Sequence, residues 1–202
     1  MNVHPVVVLF VRADSIYKTL PGVECYDEAR DALTWPGGCP VVAHPPCRTW
    51  GNLRHRVPKR PQEHALGPWA VEQVRRCGGV LEHPAGSVLF EECGCGEPGD
   101  CGFVMKVDQF HWGHRAAKPT RLYVVGCTPA DVPAMPHREG EPTHCITQGH
   151  GVRIGHPLFK SRVPQWEREA TPPAFAAWLV ELARLCKHND QAHRPAKAGE
   201  RD

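Results

Sequence analysis

Continuous apolar runs, rather than alternation, mark the strands of this chain. Pro5–Val11 is apolar and valine-rich, Gly22–Tyr26 is a shorter run, and Cys39–Ala43 is another. Val80-Leu81 and Arg121–Gly126, the latter carrying Leu122, Tyr123, Val124 and Val125, complete the set. Runs of this kind predict strands buried on both faces of a mostly parallel sheet. Two stretches switch to helical spacing. From Pro68 to Cys77, Trp69, Val71 (or Ala70) and Val74 recur on one face, and Gly78-Gly79 supplies the stop. From Pro172 to Leu185, Phe175, Trp178, Leu179 and Leu182 share a face, with Pro172-Pro173 at the start. Pro58–His64 reads as a polar, proline-punctuated loop, and residues 187–202 as a polar tail without period. Strand, loop and helix alternate without an internal repeat, which predicts an α/β fold with a parallel sheet.

Composition narrows the function classes. The 202 residues carry 24 basic and 22 acidic side chains, a net charge of +2. That balance excludes a polybasic coat protein or an acidic tail, and leaves nucleic acid as a partner only through a local patch. With 21 prolines and 19 glycines, long loops and short elements are expected. No apolar run approaches the roughly 18 residues of a membrane span, and Val6–Val11 is too short for a secretory signal. A soluble, cytoplasmic protein without a membrane partner is therefore expected. The ten cysteines stand mostly alone along the chain. They fit a reducing compartment in which most thiols act as small buried hydrophobes.

The candidate chemistry gathers in loops that follow predicted strands, where open α/β sheets place their sites. Ala43-His44-Pro45-Pro46-Cys47-Arg48 is the first. Two prolines stiffen the loop and fix the display of Cys47, and His44 and Arg48 are expected to favour its thiolate. A rigid turn around a structural cysteine is the alternative. Leu81-Glu82-His83-Pro84 places a carboxylate at a strand end, where it can serve as an acid or remain simply solvated. In Phe10–Lys18, the side chains of Arg12, Ser15, Tyr17 and Lys18 suit a phosphate or carboxylate. Cys93, Cys95 and Cys101, with His111 and His114 downstream, are candidate ligands for a structural zinc, or incidental thiols of a glycine-rich loop. Thr143–Gly151, followed by Arg153, His156, Lys160 and Arg162, suits a phosphate backbone or plain solvent. Trp112 and Trp166 can stack on a base, with packing the expected role for both.

Taken in order, Pro45-Pro46-Cys47, a helix-sized segment, Glu82-His83-Pro84 and the Lys118…Arg121-Leu122-Tyr123-Val124-Val125-Gly126 strand resemble the cytosine-C5 DNA methyltransferase family, in particular its compact phage and prophage members. The resemblance covers about Val6–Gly126 and the last helix. It implies a Rossmann-like, mostly parallel sheet flanked by helices, in a single compact domain over residues 1–186 with loop insertions. Residues 127–170 would then form a reduced target-recognition region. It further implies that Cys47 attacks C6 of the pyrimidine, that Glu82 contacts N3, and that Arg121 helps position the target. His44, Pro46, Arg48, His83 and Lys118 fall on the substrate side. Phe10, Arg12 and Asp27 fall on the side of the donor, S-adenosylmethionine. Addition of a thiolate at C6 makes C5 nucleophilic, dividing one hard step into easier ones, and a duplex substrate must first have its base flipped out.

The chain departs from the family pattern at several places. Phe10–Lys18 lacks the glycines of the donor loop, His83 replaces an asparagine, and no glutamine stands near Ala116-Ala117 ahead of the arginine. The expected function is methylation of cytosine in DNA. The alternatives are C5 modification of a pyrimidine nucleotide with another donor, and a catalytically silent nucleic-acid-binding protein.

Overall fold

The computed structural model describes residues 5–149 and 151–187. Six strands form one sheet: β1 (Val6–Leu9), β2 (Val23–Tyr26), β3 (Val41–Ala43), β4 (Gly79–Pro84), β5 (Gly102–Asp108) and β6 (Pro119–Val125), in the order β2-β1-β3-β4-β6-β5. β1 pairs in parallel with β2 and β3, and β3 with β4. β6 runs antiparallel to both β4 and β5. The fold is thus α/β around a mixed, mostly parallel sheet.

The valine-rich runs become central strands because both faces of the sheet are covered. Val6, Val8, Val42 and Val80 point into one core with α4 (Pro173–Leu185), through Phe175, Leu179 and Leu182. Val7, Leu9, Val41 and Leu81 point into the other with α1 (Pro61–Cys77), through Ala70, Val71 and Val74. Each fully buried aliphatic or aromatic side chain contributes roughly 1.5–3 kcal/mol.

Two expectations change. The stretch read as a loop over Pro58–His64 is helical from Pro61 onward, because Pro61 occupies the first turn, where its missing N–H costs nothing. Pro68 therefore lies inside α1, and Gly67 before it lets the helix approach Trp50, whose indole nitrogen would stand 2.8 Å from any added Cβ. β5, which follows the cysteine-rich loop, is a strand that no continuous apolar run marks.

The remaining elements are short: α2 (Leu89–Glu92), α3 (Gln165–Glu169) and a two-residue parallel ladder of β7 (His144–Cys145) with β8 (Ser161–Arg162). All ten cysteines are free thiols. The tail expected beyond Lys187, and His150 in the loop read as a phosphate contact, lie outside the described residues. No helix among the described residues is long and apolar enough to cross a membrane.

The strand order has a positional consequence. β1 is followed by β2 on one side, and the chain then returns to β1's other side as β3. At such a reversal the loops leaving the two strands diverge and open a crevice at their carboxyl ends. Phe10–Tyr17 leaves β1 there, and His44–Cys47 leaves β3.

Candidate functional site

A cleft of ≈ 800 Å³ occupies this crevice, a size that holds a nucleotide or a comparable ligand. Its walls are the β1 exit (Phe10–Arg12, Asp14–Tyr17), the β3 exit (His44–Arg48), the end of β4 (Glu82–Pro84), Lys118 ahead of β6, and α3 with the residues after it. The β1 exit turns sharply. Phe10 has φ 62°, the only positive φ of a non-glycine among the described residues. A backbone held there costs on the order of 1 kcal/mol or more. Packing of the Phe10 ring edge-on to Trp69, with centroids 5.8 Å apart, helps hold it.

The cysteine loop is fixed from both ends. His44 N–H donates to the Leu9 carbonyl at 3.1 Å, and the Cys47 carbonyl accepts from Trp50 and Gly51 N–H at 3.1 and 2.9 Å. Underneath lies His83, 1% exposed. Burial lowers its pKa to about 4, so the ring is neutral. Its Nε2–H donates to the Pro45 carbonyl at 3.3 Å, which leaves Nδ1 to accept the Ser87 hydroxyl at 2.6 Å. With both nitrogens committed, His83 positions the Pro45-Pro46-Cys47 turn and has no group left for a substrate. Cys47 itself is exposed on the cleft wall. Its thiol is pushed up rather than down, first by the desolvation of its surroundings and then by the Glu82 carboxylate. Lys118 and Arg48 favour the thiolate but are outweighed by that burial and charge. Arg48 pairs with Glu63 at 2.8 Å and His44 with Glu82 at 3.0 Å.

Glu82 sits at the centre of a hydrogen-bonded chain. Its Oε2 accepts from His44 Nδ1 at 3.0 Å, and Oε1 accepts from Gln109 Nε2 at 3.1 Å. His44 Nε2 meets the Tyr17 hydroxyl at 2.9 Å, and the Gln109 amide also donates to Thr120 Oγ1 at 3.0 Å. Burial pushes the Glu82 carboxyl up, but the hydrogen bond and charge of His44, with Lys118 behind them, prevail and hold it below its ordinary value. The buried Tyr17 phenol is raised well above its usual range by desolvation and by the Glu82 charge, and so stays protonated. Lys118 reaches the same cleft and donates to the Ala170 carbonyl at 3.0 Å, its pKa lowered by burial. Gln109 reaches Glu82 from the turn between β5 and β6. Gln109 belongs to no sequence motif, and Tyr17, expected to meet a phosphate or carboxylate, instead meets His44; the turn after β5 and the exit of β1 bring the two to this chain.

Other candidates are placed elsewhere. Arg121 pairs across the sheet with His83, on the face opposite Glu82 and Leu122. Its guanidinium stacks over Phe90 at 4.9 Å and binds Glu91 at 2.6 Å, so it does not line the cleft. Asp27 also lies off the cleft. One oxygen binds Lys18 at 2.6 Å and the other caps Ala29 and Arg30 N–H, both at 3.0 Å. Arg12 lines the cleft, held by Asp14 at 2.9 Å and Glu169 at 3.3 Å. The two tryptophans separate: Trp112 is buried against Phe175 and Trp178, whereas Trp166 lines the cleft mouth and is 61% exposed.

The cysteine-rich loop is held by polar contacts. Arg75 binds the Cys93 carbonyl at 2.8 Å and Asp100 at 3.1 Å, and Asp100 accepts from Gly96 N–H at 2.7 Å. Burial pushes the Cys95 thiol up to about 12. Cys93, Cys95 and Cys101 do not converge, and among the described residues no three His, Cys, Asp or Glu side chains are placed to hold a metal ion. Comparison with family models and with curated proteins found no match.

Proposed function

We propose that the chain is a pyrimidine C5-modifying transferase on a Rossmann-like sheet, methylating cytosine in DNA through a covalent adduct on Cys47. The observation that carries this reading is the convergence of Cys47, Glu82 and Lys118, from three separate elements, on one cleft at the strand-order reversal. A nucleophile, a proton-handling carboxylate and a cation are what addition to a pyrimidine requires. The sulfur–C6 bond forms as the C5=C6 π pair moves onto C5. The thiol gives up one proton and N3 gains one, and the linked His44–Glu82 pair is the group that can accept and return it. Once C5 carries its new substituent, its proton leaves to water in the cleft, the freed pair re-forms C5=C6 as the thiolate departs, and N3 gives its proton back to the His44–Glu82 pair. Lys118, rather than Arg121, supplies the positive charge that the cleft offers the substrate.

The donor side fits in part. Phe10 offers an aromatic edge, and the Asp14 and Glu169 carboxylates line the same cleft. These residues, rather than Asp27, would hold S-adenosylmethionine, which when bound supplies an electrophilic methyl group. Arg12, clasped between those two carboxylates, favours a second reading in which another donor serves the same thiolate chemistry.

Release of tritium from [5-³H]cytosine DNA tests the shared step, because thiolate addition makes the C5 hydrogen exchangeable. Tritium release that is lost in folded Cys47→Ala is the expected result. Release that is absent from the wild-type protein, or undiminished in the variant, would reject the covalent mechanism.

A further inference from the structure

Four cations line the cleft, and they are not equally occupied. Arg12 is clasped by Asp14 and Glu169, and Arg48 is held by Glu63. Lys118 donates to the Ala170 carbonyl but makes no ion pair among the described residues. Arg168 has no carboxylate partner among them either, and its Nε is buried without any hydrogen-bond acceptor. Lys118 and Arg168 meet the cleft on one wall: Lys118 binds the chain just past α3, and Arg168 stands within α3 itself. The cleft carboxylates are engaged: Glu82 by His44 and Gln109, and Asp14 and Glu169 by Arg12. Lys118 is met only at longer range, by the charges of Glu82 and Glu169, and Arg168 is the cation of this wall left without a carboxylate partner among the described residues. A half-buried guanidinium without a partner is costly until an anion meets it. Trp166, on the same helix, lies open at the mouth.

We infer that the α3 wall is an anion subsite for the phosphate of the pyrimidine substrate, with Arg168 as its principal ligand, Lys118 as its second, and the Trp166 ring against the adjoining sugar. The inference rests on the proposed pyrimidine chemistry only for the identity of the base. Guanidinium groups grip phosphate through paired, charge-assisted hydrogen bonds, and an ammonium adds a point charge. The phosphate can belong to a free nucleotide or to a strand. Because Arg168 donates no side-chain hydrogen bond among the described residues, its replacement leaves their contacts intact.

The test is calorimetric titration of the full chain at low salt with deoxycytidine, dCMP, and a short cytosine-containing single strand lacking terminal phosphates. Wild-type protein is expected to bind dCMP or the strand at least about tenfold more tightly than deoxycytidine. Arg168→Gln should abolish that preference while leaving deoxycytidine affinity unchanged, and Arg168→Lys should retain part of it. Preference for dCMP over the strand would identify a free nucleotide, and the reverse a phosphodiester. Equal binding of deoxycytidine and dCMP, a variant that weakens both alike, or no binding of any phosphate-bearing probe would overturn the subsite. Its failure is separable from that of the covalent mechanism. Arg168-dependent dCMP binding without tritium release leaves the subsite and removes the chemistry, and tritium release with unchanged Arg168→Gln affinities does the opposite.

Discussion

His83 shows how a single buried side chain ties the fold to the site. It carries no charge, holds the Pro45 carbonyl, and is itself held by Ser87. Its pKa falls from 6.5 to about 4 on burial, so below pH 6.5 the unfolded chain binds a proton that the folded chain refuses. Stability from this residue is complete above pH 6.5 and is lost as the pH falls toward 4, by about 3 kcal/mol in total. Urea denaturation at pH 7 and pH 4.5 should show most of that loss in the wild type and a clearly flatter profile in His83→Gln. An identical profile would deny the buried neutral ring. Cys47 makes the complementary case. Its thiol is raised by its surroundings and by the Glu82 carboxylate, so alkylation at neutral pH should be slower than for a free thiol. Glu82→Gln removes the opposing charge, and the mass-resolved rate of iodoacetamide labelling at Cys47 should rise several-fold. A slower rate in that variant would show that Glu82 activates the thiol instead.

At the scale of elements, the parallel core depends on backbone approaching backbone where β4 begins. Gly79 has φ 124°, and a Cβ there would stand 2.0 Å from the Val41 carbonyl oxygen of the paired strand. Gly79→Ala should therefore cost several kcal/mol and drop the melting temperature by more than about 10 °C. Gly38→Ala, with φ 99° and nothing within 4 Å, should cost only about 1 kcal/mol of backbone strain. Thermal melts that fail to separate the two variants would contradict the pairing of β3 with β4. β1, β3, β4 and β6 were legible because burial on both faces writes an uninterrupted apolar run. β5 was not, since it is an edge strand whose Phe103-Val104-Met105 stretch is broken by Lys106 and follows a glycine- and cysteine-rich loop. The site was legible to the same depth. His44, Cys47 and Glu82 stand at strand ends and could be placed from the runs alone. Arg121 could not, because one residue of register decides which face a strand side chain takes. The antiparallel pairing of β6 with β4, invisible in sequence, sends Arg121 to the α1 face and leaves Lys118 at the cleft.

Over the whole molecule, one crevice collects the chemistry of distant segments. The exits of β1 and β3 diverge around it, β4 brings the carboxylate, and α3 returns from late in the chain to close its side. Arg12 to Glu169 and Lys118 to Ala170 tie that closing helix to both halves of the sheet. Between β6 and α4 the described residues hold little regular structure besides α3 and the two-residue β7 and β8. Arg153, His156 and Arg162 are exposed in this region. So small a region suits a substrate read at one nucleotide rather than along a long site. In the proposed function this crevice builds a covalent bond between Cys47 and a cytosine. Intact-mass measurement after incubation with 5-fluorocytosine DNA, with and without S-adenosylmethionine, tests it most directly. Fluorine cannot leave C5 as the proton does, so an adduct that has received its methyl group persists. A stable protein–DNA mass that requires both the donor and Cys47, and is missing in Cys47→Ala, is the expected result. No adduct in any arm would rule out covalent catalysis by Cys47 on cytosine in DNA.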